Sequence, residues 1–192
     1  MRFDAFPPED NARDLLAGPG VDSMMAAARE WDRVVTDLKA ASTLCQSLVL
    51  ELLQTWQGGA AMRMHDATTR YQGWLNYVEI HASLTLERIC EVIDAYEDAV
   101  KKMVPLAQIA HNRAWRAELL TSNTLGQNTR ALEACDTVYQ RFWVTNAEAM
   151  NDYADTTVRV VNNLHPWPRP PAPLINETPT RTDTTVADQA AG

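Results

Sequence analysis

Gln54-Thr55-Trp56-Gln57-Gly58-Gly59-Ala60 separates the two longest periodic segments of the chain and reads as the tight turn of one long antiparallel helical hairpin. On the incoming side Met24, Ala28, Trp31, Val35, Leu38, Ser42, Cys45, Val49, Leu52 and Trp56 alternate steps of four and three, the a/d seam of a helix. A second row, Val34, Ala41, Leu44, Leu48 and Leu53, widens that face. On the outgoing side Met64, Ala67, Tyr71, Trp74, Val78, His81, Ile89, Ile93, Tyr96, Val100 and Met103 keep a helical spacing. At 1.5 Å per residue that row covers roughly ten turns, about 60 Å. Two such rods packed only on each other leave apolar surface wet. The pattern therefore asks for a second apolar helix pair, from this chain or from a partner, to complete a four-helix arrangement.

The composition agrees with a folded domain. The 192 residues are 46% hydrophobic, enough for a sizeable core in one domain with a tail. A net charge of −8 with scattered Lys and Arg argues against nucleic acid, which calls for clustered cations. No run of eighteen apolar residues occurs, and Met1 to Phe6 has neither a basic region with an apolar core nor a cleavage site. The sequence thus predicts no transmembrane segment and no ordinary signal peptide. Cys45, Cys90 and Cys135 are odd in number, widely spaced and without a Cys-x-x-Cys, and read as small buried hydrophobes.

The remaining segments follow by punctuation. Pro7-Pro8 with Glu9, Asp10 and Asn11 opens a short helix that Gly18-Pro19-Gly20 ends, a start-of-domain clip, and Asp22-Ser23 offers the next N-cap. The hairpin helices are expected over about 23–55 and 60–104, the second stopped by Pro105. A shorter helix covers about 106–121. The loop from Ser122 to Thr129 breaks the pattern, and a fifth helix, rich in aromatic core positions, covers about 129–163. From Leu164 the run His165-Pro166-Trp167-Pro168-Arg169-Pro170-Pro171 is polyproline-like, and the Thr-rich remainder lacks the apolar residues to fold. Residues 1–163 are thus the helical domain, and 164–192 a Pro/Thr-rich disordered tail whose default role is a spacer. The fold class is all-α, an elongated bundle of about five helices.

Catalytic chemistry finds no foothold. Gly-x-Ser-x-Gly, a phosphate loop and Gly-x-Gly-x-x-Gly are all missing. The acids Glu87, Glu91, Asp94, Glu97 and Asp98 form a solvated face, because a helical di-metal site needs Glu-x-x-His and none occurs. His65, His81, His111 and His165 make no His-x-x-x-His pair, and His81 reads as a satisfied interface or core residue. No catalytic residue, metal ligand or cofactor is assigned. The residues alone describe a helical interaction protein.

Several stretches in order resemble the mycobacterial PPE family over about residues 1–163. They are Phe6-Pro7-Pro8-Glu9-Asp10-Asn11; Gly18-Pro19-Gly20 with Trp31-Asp32; Trp56-Gln57-Gly58 with Ala60-Ala61-Met62; and Ala95-Tyr96-Glu97, Val104-Pro105 and Asn112-Arg113-Ala114. The stretch Asn123 to Thr129, and Glu133, Tyr139, Trp143 and Ala147-Glu148-Ala149-Met150 with Tyr153, continue the series. The resemblance implies a secreted, non-enzymatic protein that forms a heterodimer with a PE-family helical hairpin and leaves by a type VII (ESX) secretion system. It implies that Trp56 and Gly58 belong to a composite export signal, the partner supplying the Tyr-x-x-x-Asp/Glu element that this chain lacks. The tip Asn123, Thr124, Leu125 and Gly126 is implied as the site of a cytosolic EspG-type chaperone. The family usually has two adjacent hydrophobic residues there, and here one is the polar Thr124. Pro7, Pro8 and Glu9 carry the name-giving motif, and Trp31, Val35, Leu38, Val49, Leu52, Tyr71, Trp74 and Val78 are the expected partner-helix interface. Two other readings are a self-associating coiled-coil scaffold and an envelope protein assisting nutrient passage; a metal or haem bundle enzyme is a third class.

Overall fold

A computed structural model describes residues 2–171 as an elongated all-α bundle. A 3₁₀ turn at Phe3–Ala5 leads into α1 (Pro8–Ala17), α2 (Asp22–Thr55), α3 (Gly59–Lys102), α4 (Leu106–Thr121) and α5 (Thr129–Asn162). Each helix lies within a residue or two of its expected span. The reasons are local. Pro8 occupies the first turn of α1, where a missing N–H costs nothing. Pro105 forbids continuation of α3, whose last turn closes with Met103 N–H donating to the Ala99 carbonyl at 2.9 Å.

The expected cap of α2 is absent. Asp22 and Ser23 lie inside α2, whose N-cap is Val21, and no side chain caps that end. Met25 N–H instead bonds the Val21 carbonyl at 2.8 Å, so the backbone alone closes the first turn. Asn128 precedes α5 but turns its amide back to the Leu119 carbonyl and the Ser122 hydroxyl, tying the loop rather than capping the helix.

At 44 residues α3 is about 66 Å long at 1.5 Å per residue, and it joins two unlike regions. Along its first half its helical neighbour among the described residues is α2, antiparallel, with Ser42 donating to Asn76 at 2.9 Å and Lys39 pairing with Glu79 at 3.6 Å. Along its second half α5 returns beside it. There Ala12, Leu15, Ala99, Met103, Ala149 and Met150 form the core, flanked by Phe3, Tyr96, Val100 and Tyr153. The small α4 closes over α5, burying Ile109, Leu119, Cys135 and Phe142.

Cys90 departs from expectation: it is exposed, whereas Cys45 is half-buried and Cys135 buried. Its neighbours one turn away on α3, Glu87 and Asp94, are exposed too, so this is the helix side that neither α2 nor α5 covers. The acidic face is also less free than its composition suggests. Glu91 accepts from Arg88 at 3.1 Å and is clamped by Arg159 of α5. Of the Pro/Thr-rich segment, residues 164–171 are described and 172–192 lie outside the described residues. The described part runs back along the hairpin with most of its residues exposed, and Trp74 Nε1 donates to the Pro168 carbonyl at 3.3 Å.

Candidate functional site

The Pro7-Pro8-Glu9 motif is built into the head of the bundle. Pro8 is fully buried, and its carbonyl accepts from Asn146 Nδ2 at 2.9 Å. The same Asn146 side chain accepts Val104 N–H through Oδ1 at 2.8 Å, stitching α1 and α5 to the break between α3 and α4. Glu9 accepts the Tyr139 hydroxyl at 2.9 Å. Burial first, and the Glu9 carboxylate second, push the Tyr139 phenol above its usual pKa, and the Arg113 guanidinium sits 4.5 Å over the Tyr139 ring. These contacts make the motif a clip.

Sequence reasoning passed over the buried asparagines that complete this clip. Asn11 donates to the Phe3 carbonyl at 3.2 Å, and Asn151 accepts Phe3 N–H at 3.1 Å. Asn112 donates to the Cys135 carbonyl at 3.1 Å. Their signal was available: Asn146 and Asn151 interrupt the apolar face of α5 that carries Phe142, Ala149 and Met150, and a polar residue there must find partners.

The turn at the far end is shaped by Gly58. Its φ of +99° and ψ of −176° lie in a region essentially reserved for glycine, and no heavy atom stands within 4 Å of where a Cβ would be. Backbone strain rather than crowding therefore requires glycine. Trp56 caps α2 by donating its backbone N–H to the Leu52 carbonyl at 2.8 Å, while the residue remains 42% exposed. A shallow cavity of about 300 Å³ opens beside it, lined by Leu53, Trp56, Gln57, Gly58, Ala61, Met62, His65 and Asp66.

The expected interface row divides. Val35 and Val49 are buried against α3, in the seam of the hairpin itself. Trp31, Leu38, Trp74 and Val78 are half-buried at its edge, and Leu52 and Tyr71 are exposed. The second row of α2 is the more open one: Val34, Leu44 and Leu48 are all exposed, Leu44 to 60%. An exposed apolar band thus extends from Val34 to Trp56, about 33 Å of helix.

At the opposite end, the α4–α5 loop presents Leu125, which is 92% exposed. The loop is held by its own hydrogen bonds. Asn123 Oδ1 accepts Asn128 N–H at 2.7 Å, Leu125 N–H donates to Gln127 Oε1 at 2.9 Å, and the Thr129 hydroxyl donates to the Gly126 carbonyl at 2.9 Å. Gly126 takes a φ of +78°, and Thr124 is exposed beside it. Among the described residues no three His, Cys, Asp or Glu side chains gather as metal ligands, and no helix is long and apolar enough to cross a membrane.

Comparison with known proteins gives one answer. The sequence profile described as "PPE family" matches residues 2–165. The chain is 38% identical over 178 residues to "PPE family protein PPE41" of Mycobacterium tuberculosis, covering 93% of this chain and 91% of that protein. It is 38% identical over 170 residues to "PPE family protein PPE18" of the same organism, covering 88% of this chain and 44% of the relative. For "Uncharacterized PPE family protein PPE19" the identity is 38% over 174 residues, covering 90% and 43%. The chain therefore spans nearly all of the first relative and less than half of the other two.

Proposed function

We propose, from the premise that this chain belongs to the PPE family, that it is a non-enzymatic adaptor whose hairpin of α2 and α3 is completed to a four-helix bundle by a PE-family partner. The observation that carries this reading is the exposed apolar band from Val34 to Trp56. Isolated exposed hydrophobes need no explanation, but a contiguous apolar stripe along a helix, facing nothing among the described residues, is the signature of an interface. With Val35 and Val49 spent inside the hairpin, the contact surface for the partner is Val34, Leu38, Leu44, Leu48 and Leu52 on α2 with Tyr71, Trp74 and Val78 on α3. Trp56 and Gly58, beside the shallow cavity, are the chain's half of an export signal for an ESX system. Leu125 is the anchor for an EspG-type chaperone in the cytosol, before the complex reaches the cell surface or medium. A side chain held out by a self-bonded loop loses little freedom on docking, which favours such a role.

Co-expression with a PE-family hairpin protein tests the reading. A soluble one-to-one complex is expected, with the lone chain aggregating as its concentration rises; a lone chain that stays monomeric at high concentration and captures no such partner would sink the proposal, and a stable homodimer would favour the self-associating scaffold. Trp56→Ala should keep the complex and block its export, and loss of the complex instead would make Trp56 a packing residue. Leu125→Asp should lower chaperone affinity by about tenfold or more, the scale of one lost anchor residue, without touching the partner complex.

A further inference from the structure

We propose that Trp31, Trp74 and His81 form an aromatic cradle for a proline-flanked tryptophan, that residues 164–171 fill it in cis, and that this strap competes with the partner hairpin for one face of α2 and α3. The Trp167 indole lies on that of Trp31 with ring centroids 5.4 Å apart and planes within 9°. Trp74 reaches the next residue, donating its indole N–H to the Pro168 carbonyl at 3.3 Å, and the His81 ring stands tilted 6.1 Å from Trp167. His81 is fixed in turn through Nδ1, 3.0 Å from the Tyr77 carbonyl, where only the protonated nitrogen can donate.

The segment is suited to this seat. Pro166, Pro168, Pro170 and Pro171 favour the extended polyproline conformation before docking, so little chain freedom is lost, and aromatic grooves commonly receive such segments. Its position follows from α5, which ends beside α3 where Arg159 clamps Glu91 and delivers the following residues down the hairpin.

Competition follows from where the cradle lies. Trp31, Leu38, Cys45 and Leu52 recur every seven residues on α2, and Ala67, Trp74 and His81 do so on α3. A heptad row drifts only about 20° per repeat, so the rows that hold the strap continue as the sides of the groove below it. A helix about 10 Å across, laid along that groove, cannot share its upper end with an indole lying flat on Trp31. The strap is also light enough to leave, with one stacked pair, one hydrogen bond and Trp167 itself 47% exposed.

The cradle rests on the contacts alone, whereas the competition rests on the partner reading above, and the test separates them. p-Benzoylphenylalanine is placed at position 167 of the full chain, irradiated in bacterial lysate with the chain made alone or with a PE-family hairpin, and cross-links within the monomer band are mapped. Alone, the chain should cross-link to itself around Trp31 and around Trp74 to His81; none there overturns the cradle. With the partner bound, that yield should fall at least fivefold, and an unchanged yield overturns the competition. If the unmodified chain captures no PE-family protein, the partner reading fails and the competition with it, while the free-chain arm still judges the cradle. In parallel, Trp167→Ala should tighten partner binding about three- to tenfold, because a competing closed state lowers apparent affinity by its share of the population. Equal or weaker binding would count against the strap as competitor.

Discussion

The two halves of α3 live in different surroundings. Its head end, from about Glu91 to Met103, packs with α1 and α5, where Ala99 and Met103 are buried and the polar groups at the break are paired by Asn146. Among the described residues its first half has α2 on one side and only the short strap on the other, leaving Met62, Tyr71, Tyr77 and Ile80 exposed. The apolar content of the two halves is similar, so composition does not make the difference; the availability of a covering helix does. The covered end behaves as a finished domain. The open end has the surface of a domain cut through its core, the character of obligate interfaces.

The largest effect that sharpens this contrast comes from the same kind of truncation in each region. Phe142→Ala in the head removes a buried side chain of α5 and should cost about 3–5 kcal/mol, read from the denaturant midpoint. Leu44→Ala in the shaft should change the chain's own stability by about 0.5 kcal/mol or less, since its side chain already faces water. In the partner complex Leu44→Ala should become costly. A large effect of Leu44→Ala on the lone chain would mean that the shaft is covered internally, and the distinction would dissolve. A step smaller is Asn146→Ala, which leaves the Val104 N–H and the Pro8 carbonyl without partners in the buried head. About 2–4 kcal/mol is expected from two lost hydrogen bonds with desolvated groups left behind. An unaltered midpoint would show that water replaces the amide and that the motif's clip is slack.

How legible each region was in the sequence follows the same line. The helices of the shaft could be read because periodicity reports the face a helix buries, and Gly58-Gly59 and Pro105 mark where the rods stop. Periodicity cannot say what covers that face. Val35 and Val49 therefore stood in one row with Leu52, although the first two pack inside the hairpin and the third is open. The head was legible as helices but not as a network. Asn146 bridges residues 138 and 42 positions away, and no local pattern encodes such a span. The Trp167 contact has the same origin: a polyproline run announces an extended chain but not its landing place, and Trp31 lies far off in sequence. Cys90 reads as a small buried hydrophobe by residue type, whereas its place is decided by which side of α3 the other helices occupy.

The smallest effect lies at the boundary between the halves, where Glu91 receives Arg159 from the last turn of α5 and Arg88 from its own helix. The Arg159 hydrogen bond, with that of Arg88 behind it, holds the Glu91 carboxyl below its ordinary 4.5. A carboxylate whose pKa is depressed by folding adds stability above the unfolded value and loses it as pH falls from 4.5 through the folded value. Asp136, lowered from 3.8 chiefly by its hydrogen bond with Arg116, follows the same sign in the head. Glu91→Gln should therefore lower the denaturant midpoint slightly at pH 7, as solvent-facing pairs do, and the two midpoints should converge as pH falls below 4.5 through the folded value. High salt at pH 7 should shrink the gap as well, since exposed charges are screened over a few ångströms at molar ionic strength. A gap that survived both acid and salt would mean that Glu91 joins α5 to α3 by packing rather than charge, and that the covered half of α3 begins a turn earlier than its buried residues indicate.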